Sequence, residues 1–454
     1  MSFRIISLVF VAIVLTACQS GIQGKLNSSL KEKLTERIDS YLDAHHSNGQ
    51  FNGSLLIMKG DLLLYSRSIG WANREFQMAH TDSTRFLIGS ITKPFTAMAI
   101  LLLEKEGKLS LNDPLSSYFP SFPRSHEVTV QQLLTHTSGI KDYHSLPDWR
   151  EKGRQNRNPL KTVEDVSIDP YLFNPGAGFR YSNTGYILLG LIVEKVSGLS
   201  FESFIQQAIL NPLHLKNTGI ITNEKIVPHL ANGYSSNPRE TLKAEYIHYS
   251  QAFSSGNMYS TPQDLFLFCK AVMGSHLLDS QKTNAIFKIS EVYGYGWGIC
   301  NYAGSRAYSH HGGMNGYVGS MTFIPEGEYF ICFLTNDDNT PKYRMAEDLA
   351  SLVLGKDVEN PHPTPLIPLT EEMKTLAIGS YLLKPGDTLH IYEQAGSLFM
   401  KETGQESHEL FPYKEDGYSL SLLEFRVIFS DNQAKIAQSL ILDGKTKTEA
   451  LRLP

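Results

Sequence analysis

Cysteine is scarce in this chain, with four residues in 454, and three of them, Cys269, Cys300 and Cys332, stand isolated from one another. Three separated thiols exclude a disulfide framework, and those at 300 and 332 lie in apolar, strand-like runs where a thiol packs as a small hydrophobe. No His-x-His-x-Asp-His or His-Glu-x-x-His pattern accompanies them, so neither a metal centre nor a cofactor is expected. An excess of charge of one sign is also missing. The 41 basic and 46 acidic residues leave a formal charge of -5, which gives no reason to expect a nucleic-acid partner. Internal repeats and long low-complexity segments are absent, and nothing in the chain speaks to oligomeric state.

Long apolar runs are lacking too. The run from Ile5 to Leu15, behind Arg4, falls short of the roughly 20 residues that a membrane-spanning helix needs, and reads as an export signal. It ends in Leu15-Thr16-Ala17-Cys18, which resembles the lipobox of bacterial lipoproteins. That resemblance implies removal of residues 1–17, lipidation of Cys18 and a tether over 18–27. Gln19, in place of an inner-membrane retention aspartate, implies an outer-membrane anchor facing the periplasm.

What remains has an ordinary globular composition, 41% hydrophobic, enough to fill a sizeable core. Leu30, Leu34, Ile38 and Leu42 recur at near-fourfold spacing and predict an amphipathic helix over 28–45. Ser54 to Lys59 and Leu62 to Ser66 flank Gly60-Asp61, the signature of a hairpin. Thr92 to Gly107 reads as a long buried helix with Pro94 tolerated in its first turn. A helix running into a loop is expected before Gly139, and further helices over 184–197 and 201–209. Strand character returns at Tyr295–Cys300, Arg306–His310, Tyr317–Pro325 and Tyr329–Leu334, followed by a helix over Tyr343–Leu354. The pattern predicts an α/β fold: an antiparallel sheet flanked by helices, with a helical subdomain, over residues 28–355. A Pro-rich run, 356–370, reads as a linker, and short alternating segments over 371–454 as a small β-rich accessory domain, for which a barrel is one architecture.

Three short motifs carry chemistry. Ser90-Ile91-Thr92-Lys93 opens the long helix, so the Ser90 hydroxyl sits at a positive helix end with Lys93 one turn away on the same side. Ser28-Ser29-Leu30-Lys31 repeats the spacing, but on a charged helix beside the expected anchor, where no dry site can form. Tyr181-Ser182-Asn183 follows the Asn174-Pro175-Gly176 turn. His310-His311-Gly312-Gly313 lies in strand-like surroundings, where alternation puts His311 on the face opposite His310. A serine hydroxyl needs a base to become a nucleophile. Lys93 and Tyr181 are the available bases, and either must be held deprotonated to act near neutral pH.

Ser-x-x-Lys at Ser90 and Lys93, Tyr-x-Asn at Tyr181 and Asn183, and His310-His311-Gly312 resemble the three motifs of the serine β-lactamase and penicillin-binding-protein superfamily, and in particular its class C-like branch of esterases and D-amino-acid peptidases. Over 28–355 the resemblance implies an acyl-enzyme mechanism. Ser90 is then the nucleophile, Lys93 and Tyr181 handle its proton, and Asn183 holds Lys93 and the substrate amide. The Ser90 and Gly313 N–H groups form the oxyanion hole, while His310 orients the tyrosine or, when protonated, contacts the substrate. His310 stands where the superfamily's resistance enzymes carry lysine. This implies small esters or D-amino-acid-containing amides and peptides, peptidoglycan-derived ones included, as substrates. The alternatives are a β-lactamase, a D,D-carboxypeptidase or transpeptidase, and a penicillin-binding sensor that acylates without efficient turnover. Leu133 to Gly139 resembles another family block, in which His136 ties loops together.

Overall fold

Apolar strands from the two ends of the catalytic stretch meet in one sheet. The computed structural model describes residues 31–453 except 364, 385–386, 403–406, 421–425, 431–435 and 444–446; the leader, Cys18 and the tether lie outside the described residues. Strands β1 (Gly53–Lys59), β2 (Leu62–Ile69), β3 (Gly298–Tyr302), β4 (Ser305–Met314), β5 (Tyr317–Ile324) and β6 (Tyr329–Thr335) are ordered β3-β4-β5-β6-β1-β2, each neighbour antiparallel. The central strands are apolar along nearly their whole length because both sheet faces are covered. Alternation divides them cleanly. Leu55 and Ile57 of β1, with Ile331 and Phe333 of β6, pack with Ile38 and Leu42 of the helix over 31–47 and with Met345 and Leu349 of helix Lys342–Val353. Leu56, Met58, Cys332 and Leu334 face the other way, into the core shared with helices Thr92–Lys105 and Pro262–Met273.

The helical subdomain rests on that second face. Its central element, Asn183–Ser197, starts at Ser182, whose hydroxyl accepts from Gly185 N, and stops at Gly198 with φ of 72°. Three local expectations shift. The expected strand at Tyr295–Cys300 begins only at Gly298, because Tyr295 and Trp297 are buried beneath the serine helix instead of pairing. β4 does not end at His310 but runs on to Met314, so the third motif lies inside a strand. The helix before Gly139 is a single turn, Val130–Leu134, held by a capping box between Thr129 and Gln132.

The C-terminal region forms a closed eight-stranded antiparallel barrel from Gly379 to Arg452, closed where Tyr381 and Leu382 pair with Arg452 and Leu451. Leu389, Ile391, Leu398, Met400 and Leu440 fill its interior. A helix, Glu371–Ala377, occurs where only strands were expected. Thr370 caps it, Glu371 and Glu372 suit its positive end, and Met373 and Ala377 plug the barrel, with Tyr418 and Tyr381 donating to their carbonyls at 3.2 and 2.8 Å. The Pro-rich run is not a loose spacer. Arg37, Ser40 and Asn48 of the N-terminal helical segment hold Lys356, Asn360 and Pro361 at 2.7–3.2 Å.

Candidate active site

The buried pair Phe86-Leu87 leads into Gly89, whose φ of 50° turns the chain into a short 3-10 segment, Gly89–Ile91, and on into the serine helix. This turn lies hard against the end of β4. A Cβ on Gly89 would sit 2.5 Å from the Gly313 carbonyl oxygen and 2.7 Å from its nitrogen, and one on Gly312 would sit 2.0 Å from the Ile88 oxygen. Only glycine allows backbones to approach so closely. The β3–β4 ladder ends at Ser309, so on that side the strand edge past Ser309 lies beside Ser90. An open strand edge meeting the first turn of a helix is a concentration of N–H groups suited to a developing oxyanion.

Lys93 is fully buried, at 0% exposure. Its Nζ lies 3.0 Å from Ser90 Oγ, 2.7 Å from Asn183 Oδ1 and 2.8 Å from the Ser255 carbonyl. Burial pulls its pKa down to about 7, against a smaller upward pull from the Asp142 carboxylate. The partners suit the neutral amine: two carbonyl oxygens take its two N–H groups, and its lone pair is left for the Ser90 hydroxyl. Tyr181 is hydrogen-bonded to Ser90, and its ring centroid is 4.8 Å from Lys93 Nζ. Burial drives the Tyr181 pKa well above the ordinary phenol value, and the Ser90 hydrogen bond only partly offsets this. Part of the Tyr181 residue keeps intermediate surface, but its hydroxyl lies among buried groups, and that environment governs its ionisation. Above the Lys93 pKa the amine is neutral and can take the Ser90 proton, while the Tyr181 phenol keeps its own.

His310 joins this cluster through aromatic neighbours. Its Nδ1 donates to the His311 carbonyl at 2.9 Å, which leaves Nε2 to accept from Tyr293 Oη, also at 2.9 Å. Its ring lies 6.4 Å from that of Tyr181. Burial first, and then the Lys93 charge, push its pKa well below the usual histidine range. Burial therefore favours the neutral imidazole and works against the protonated form that would contact a substrate. His311 lies on the opposite face against Tyr343, ring centroids 4.7 Å apart. His136 accepts from Ser182 N at 3.1 Å and its ring centroid lies 4.3 Å from that of Tyr181, tying the tyrosine loop down.

Several groups were missed in the sequence. Asp142 Oδ2 accepts from Asn183 N at 2.6 Å and from Asn183 Nδ2 at 2.8 Å, which turns the amide oxygen towards Lys93. The only sequence signal was its place three residues beyond Gly139. Tyr293 carried none, lying in a turn-rich stretch. Lys342 also escaped notice, yet its Nζ is 3.3 Å from where a Gly313 Cβ would be, and its charge is felt at His310 and His311. Of the expected site residues, Ser90, Lys93, Tyr181 and Asn183 are directly connected. Gly313 abuts the serine turn, and His310 joins through Tyr293. Among the described residues no cluster of three or more His, Cys, Asp or Glu side chains could hold a metal ion, and no helix is long and apolar enough to cross a membrane.

A nucleophile, a buried amine and a phenol on one antiparallel α/β scaffold define a serine-hydrolase-type enzyme. The chain belongs to the Beta-lactamase family, which it matches over residues 35–355. It is 28% identical over 456 residues to penicillin-binding protein 4* of Bacillus subtilis, covering 93% of this chain and all of that protein. It is likewise 28% identical to the teichoic acid D-alanine hydrolase of Staphylococcus aureus over 326 residues, 70% of this chain and 79% of that protein. A D-stereospecific amidohydrolase from a Streptomyces species superposes with a TM-score of 0.60 at 26% identity, covering 68% of this chain and 96% of that one.

Proposed function

We propose that the protein hydrolyses small esters or D-amino-acid-containing amides and peptides, peptidoglycan-derived ones included, through an acyl-enzyme on Ser90. The carrying observation is the buried Lys93, poised near neutrality 3.0 Å from Ser90 Oγ. Neutral Lys93 takes the hydroxyl proton as Oγ bonds to the substrate carbonyl carbon. The oxyanion is held by the Ser90 and Gly313 N–H groups. As the carbonyl re-forms, the bond to the leaving alcohol or amine breaks, and Tyr181 passes it a proton that Lys93 replaces. Water then attacks the ester, gives up a proton through the same pair, and frees Ser90 and the acid. Asn183 holds Lys93 through Oδ1, its role towards the substrate amide is part of the proposal, and His310 supports the tyrosine side of the site. A hydrolase of teichoic acid D-alanine and a D-stereospecific amidohydrolase among the relatives support D-configured acyl donors.

Lys342 beside Gly313 favours a second reading, in which carboxylate-bearing donors such as β-lactams or D,D-dipeptides also acylate Ser90. Intact-mass measurement after treatment with a fluorophosphonate and with a penicillin, on the native chain and on Ser90→Ala, tests both readings. Label on the native chain alone is expected. Equal labelling of both proteins, or of neither, overturns the assignment. A chromogenic ester, a D-alanyl amide and nitrocefin then rank the substrate classes.

The division into a catalytic unit over 28–355, a linker over 356–370 and an accessory domain over 371–454 is part of this proposal, as is export with a lipid on Cys18 and an outer-membrane location. The leader ending in Leu15-Thr16-Ala17-Cys18 supports the anchor. Palmitate labelling in a Gram-negative host is expected for the native chain and lost in Cys18→Ser; unlabelled native protein overturns it.

A further inference from the structure

Beyond the catalytic groups, an extended hairpin joins the barrel to the rim of the Ser90 cleft. Its strands, Tyr234–Ser236 and Thr241–Lys243, pair in register, and its tip is stiffened by Asn237, whose side-chain oxygen accepts from Arg239 N and Glu240 N at 2.7 and 3.0 Å. Pro238 restricts the same turn. The tip presents Arg239 to the barrel, where Nη1 donates to Glu409 Oε1 at 2.8 Å and the guanidinium lies 5.1 Å from the Phe411 ring centroid. Phe411 follows the barrel-core residue Leu410 and so faces outward by alternation, yet it is only 1% exposed. The outer face of that strand is therefore covered.

The other end of the hairpin reaches both sides of the cleft. Gly316, two residues past Met314 of β4, has φ of 80°, and a Cβ there would lie 2.5 Å from Ala244 Cβ and 2.7 Å from Gly233. Asn315 Nδ2 donates to the Glu245 carbonyl at 3.0 Å. The Glu245 carboxylate pairs with Arg154 and, at 3.5 Å, with Arg150. Arg150 lies over Trp149, which packs 4.6 Å from His144, itself 3.4 Å from Asn183. Ala244 and Glu245 thus bridge the Gly313 end of β4 and the Asn183 loop.

We propose that Arg239 is a positioning residue through which the barrel holds this wall, so that the C-terminal domain sets how the enzyme receives acyl donors extending beyond the scissile group. The inference rests on the hydrolase reading. A short acyl group needs only Ser90, Lys93 and the N–H groups beside them, whereas an extended one would meet the wall at Ala244 and Glu245.

The test uses the full chain with Arg239→Glu, Glu409→Arg, the double exchange, and Arg239→Lys. Hydrogen exchange of amides 241–245 is read alongside kcat and KM for p-nitrophenyl acetate and for an N-acyl-D-alanyl p-nitroanilide. A half-exposed ion pair is a modest tie, so each single reversal is expected to raise KM for the anilide about three- to fivefold and to speed exchange by a similar factor, with kcat/KM for the acetate within about twofold. The double exchange and the lysine variant are expected to restore both readouts. Unchanged exchange in Arg239→Glu, an equal fall for both donors, or failure of the double exchange to restore overturns the proposal. If the native chain turns over neither donor, the hydrolase reading fails, and the exchange measurement alone judges the latch.

Discussion

Asp142 accepts from both N–H positions of Asn183, backbone and side-chain amide, at 2.6 and 2.8 Å. One carboxylate oxygen thereby fixes which end of the Asn183 amide meets Lys93. It also opposes the burial that lowers the Lys93 pKa. Asp142→Ala is expected to reduce kcat/KM about 10- to 100-fold through misplacement of Asn183 and Lys93. The acidic limb of the pH profile should move to lower pH, because the lysine loses a charge that favoured its protonated form. A pH profile of kcat/KM with a melting curve alongside checks this; an unshifted limb in a folded variant would contradict the coupling.

The native pH profile follows from the same groups. The base must be unprotonated, so activity on a neutral ester is expected to rise with pH through a midpoint near the Lys93 pKa of about 7 and then to stay level, since the Tyr181 phenol ionises well above its ordinary value. His310, held neutral, should contribute no limb of its own. Lys93→Ala is expected to lose about 1000-fold or more in kcat/KM. A midpoint unchanged in His310→Gln would agree with this account, and one that moved with that substitution would count against it.

Packing between the Ser90 turn and the Gly312-Gly313 end of β4 gives a third expectation. Gly312→Ala places a methyl 2.0 Å from the Ile88 oxygen, and Gly89→Ala adds a strained φ to a similar clash with Gly313. Each is expected to cost about 3 kcal/mol or more, because backbone atoms on both sides must separate. Gly355→Ala, with open space around its Cβ, is the control; its φ of 77° should cost only about 1 kcal/mol. Melting temperatures and the rate of fluorophosphonate labelling report the two effects.

Lys342 supplies the fourth. With burial favouring neutral His310, the Lys342 ammonium is a cation beside Gly313 that a donor's carboxylate would meet. Lys342→Gln is expected to raise KM about tenfold for a carboxylate-bearing donor at low salt, with a neutral ester within about twofold. Added salt should narrow the difference between native and variant; the same KM change for both donors would exclude a charge-recognition role.

The amino-acid sequence by itself determined what depends on neighbours along the chain. Ser90 and Lys93 are three residues apart at a helix start, and helical geometry alone puts them on one side. The strands at 53–69 and 305–335 were legible as apolar runs bounded by turn residues such as Gly60-Asp61 and Pro325-Glu326-Gly327, and the short alternating segments after 371 as a β-rich domain. Tertiary structure alone decided the rest. Asp142 and Tyr293 reach Asn183 and His310 from segments 41 and 17 residues away, and no periodicity links such positions. The helix plugging the barrel was hidden among strand-like neighbours, and β4 ran on through Gly313 because its pairing with β5 continues to Met314 and Tyr317. The choice of base lay furthest from the sequence, because lysine and tyrosine have similar ordinary pKa values. Burial lowers the pKa of an amine and raises that of a phenol, and only the folded chain decides how much water each one keeps.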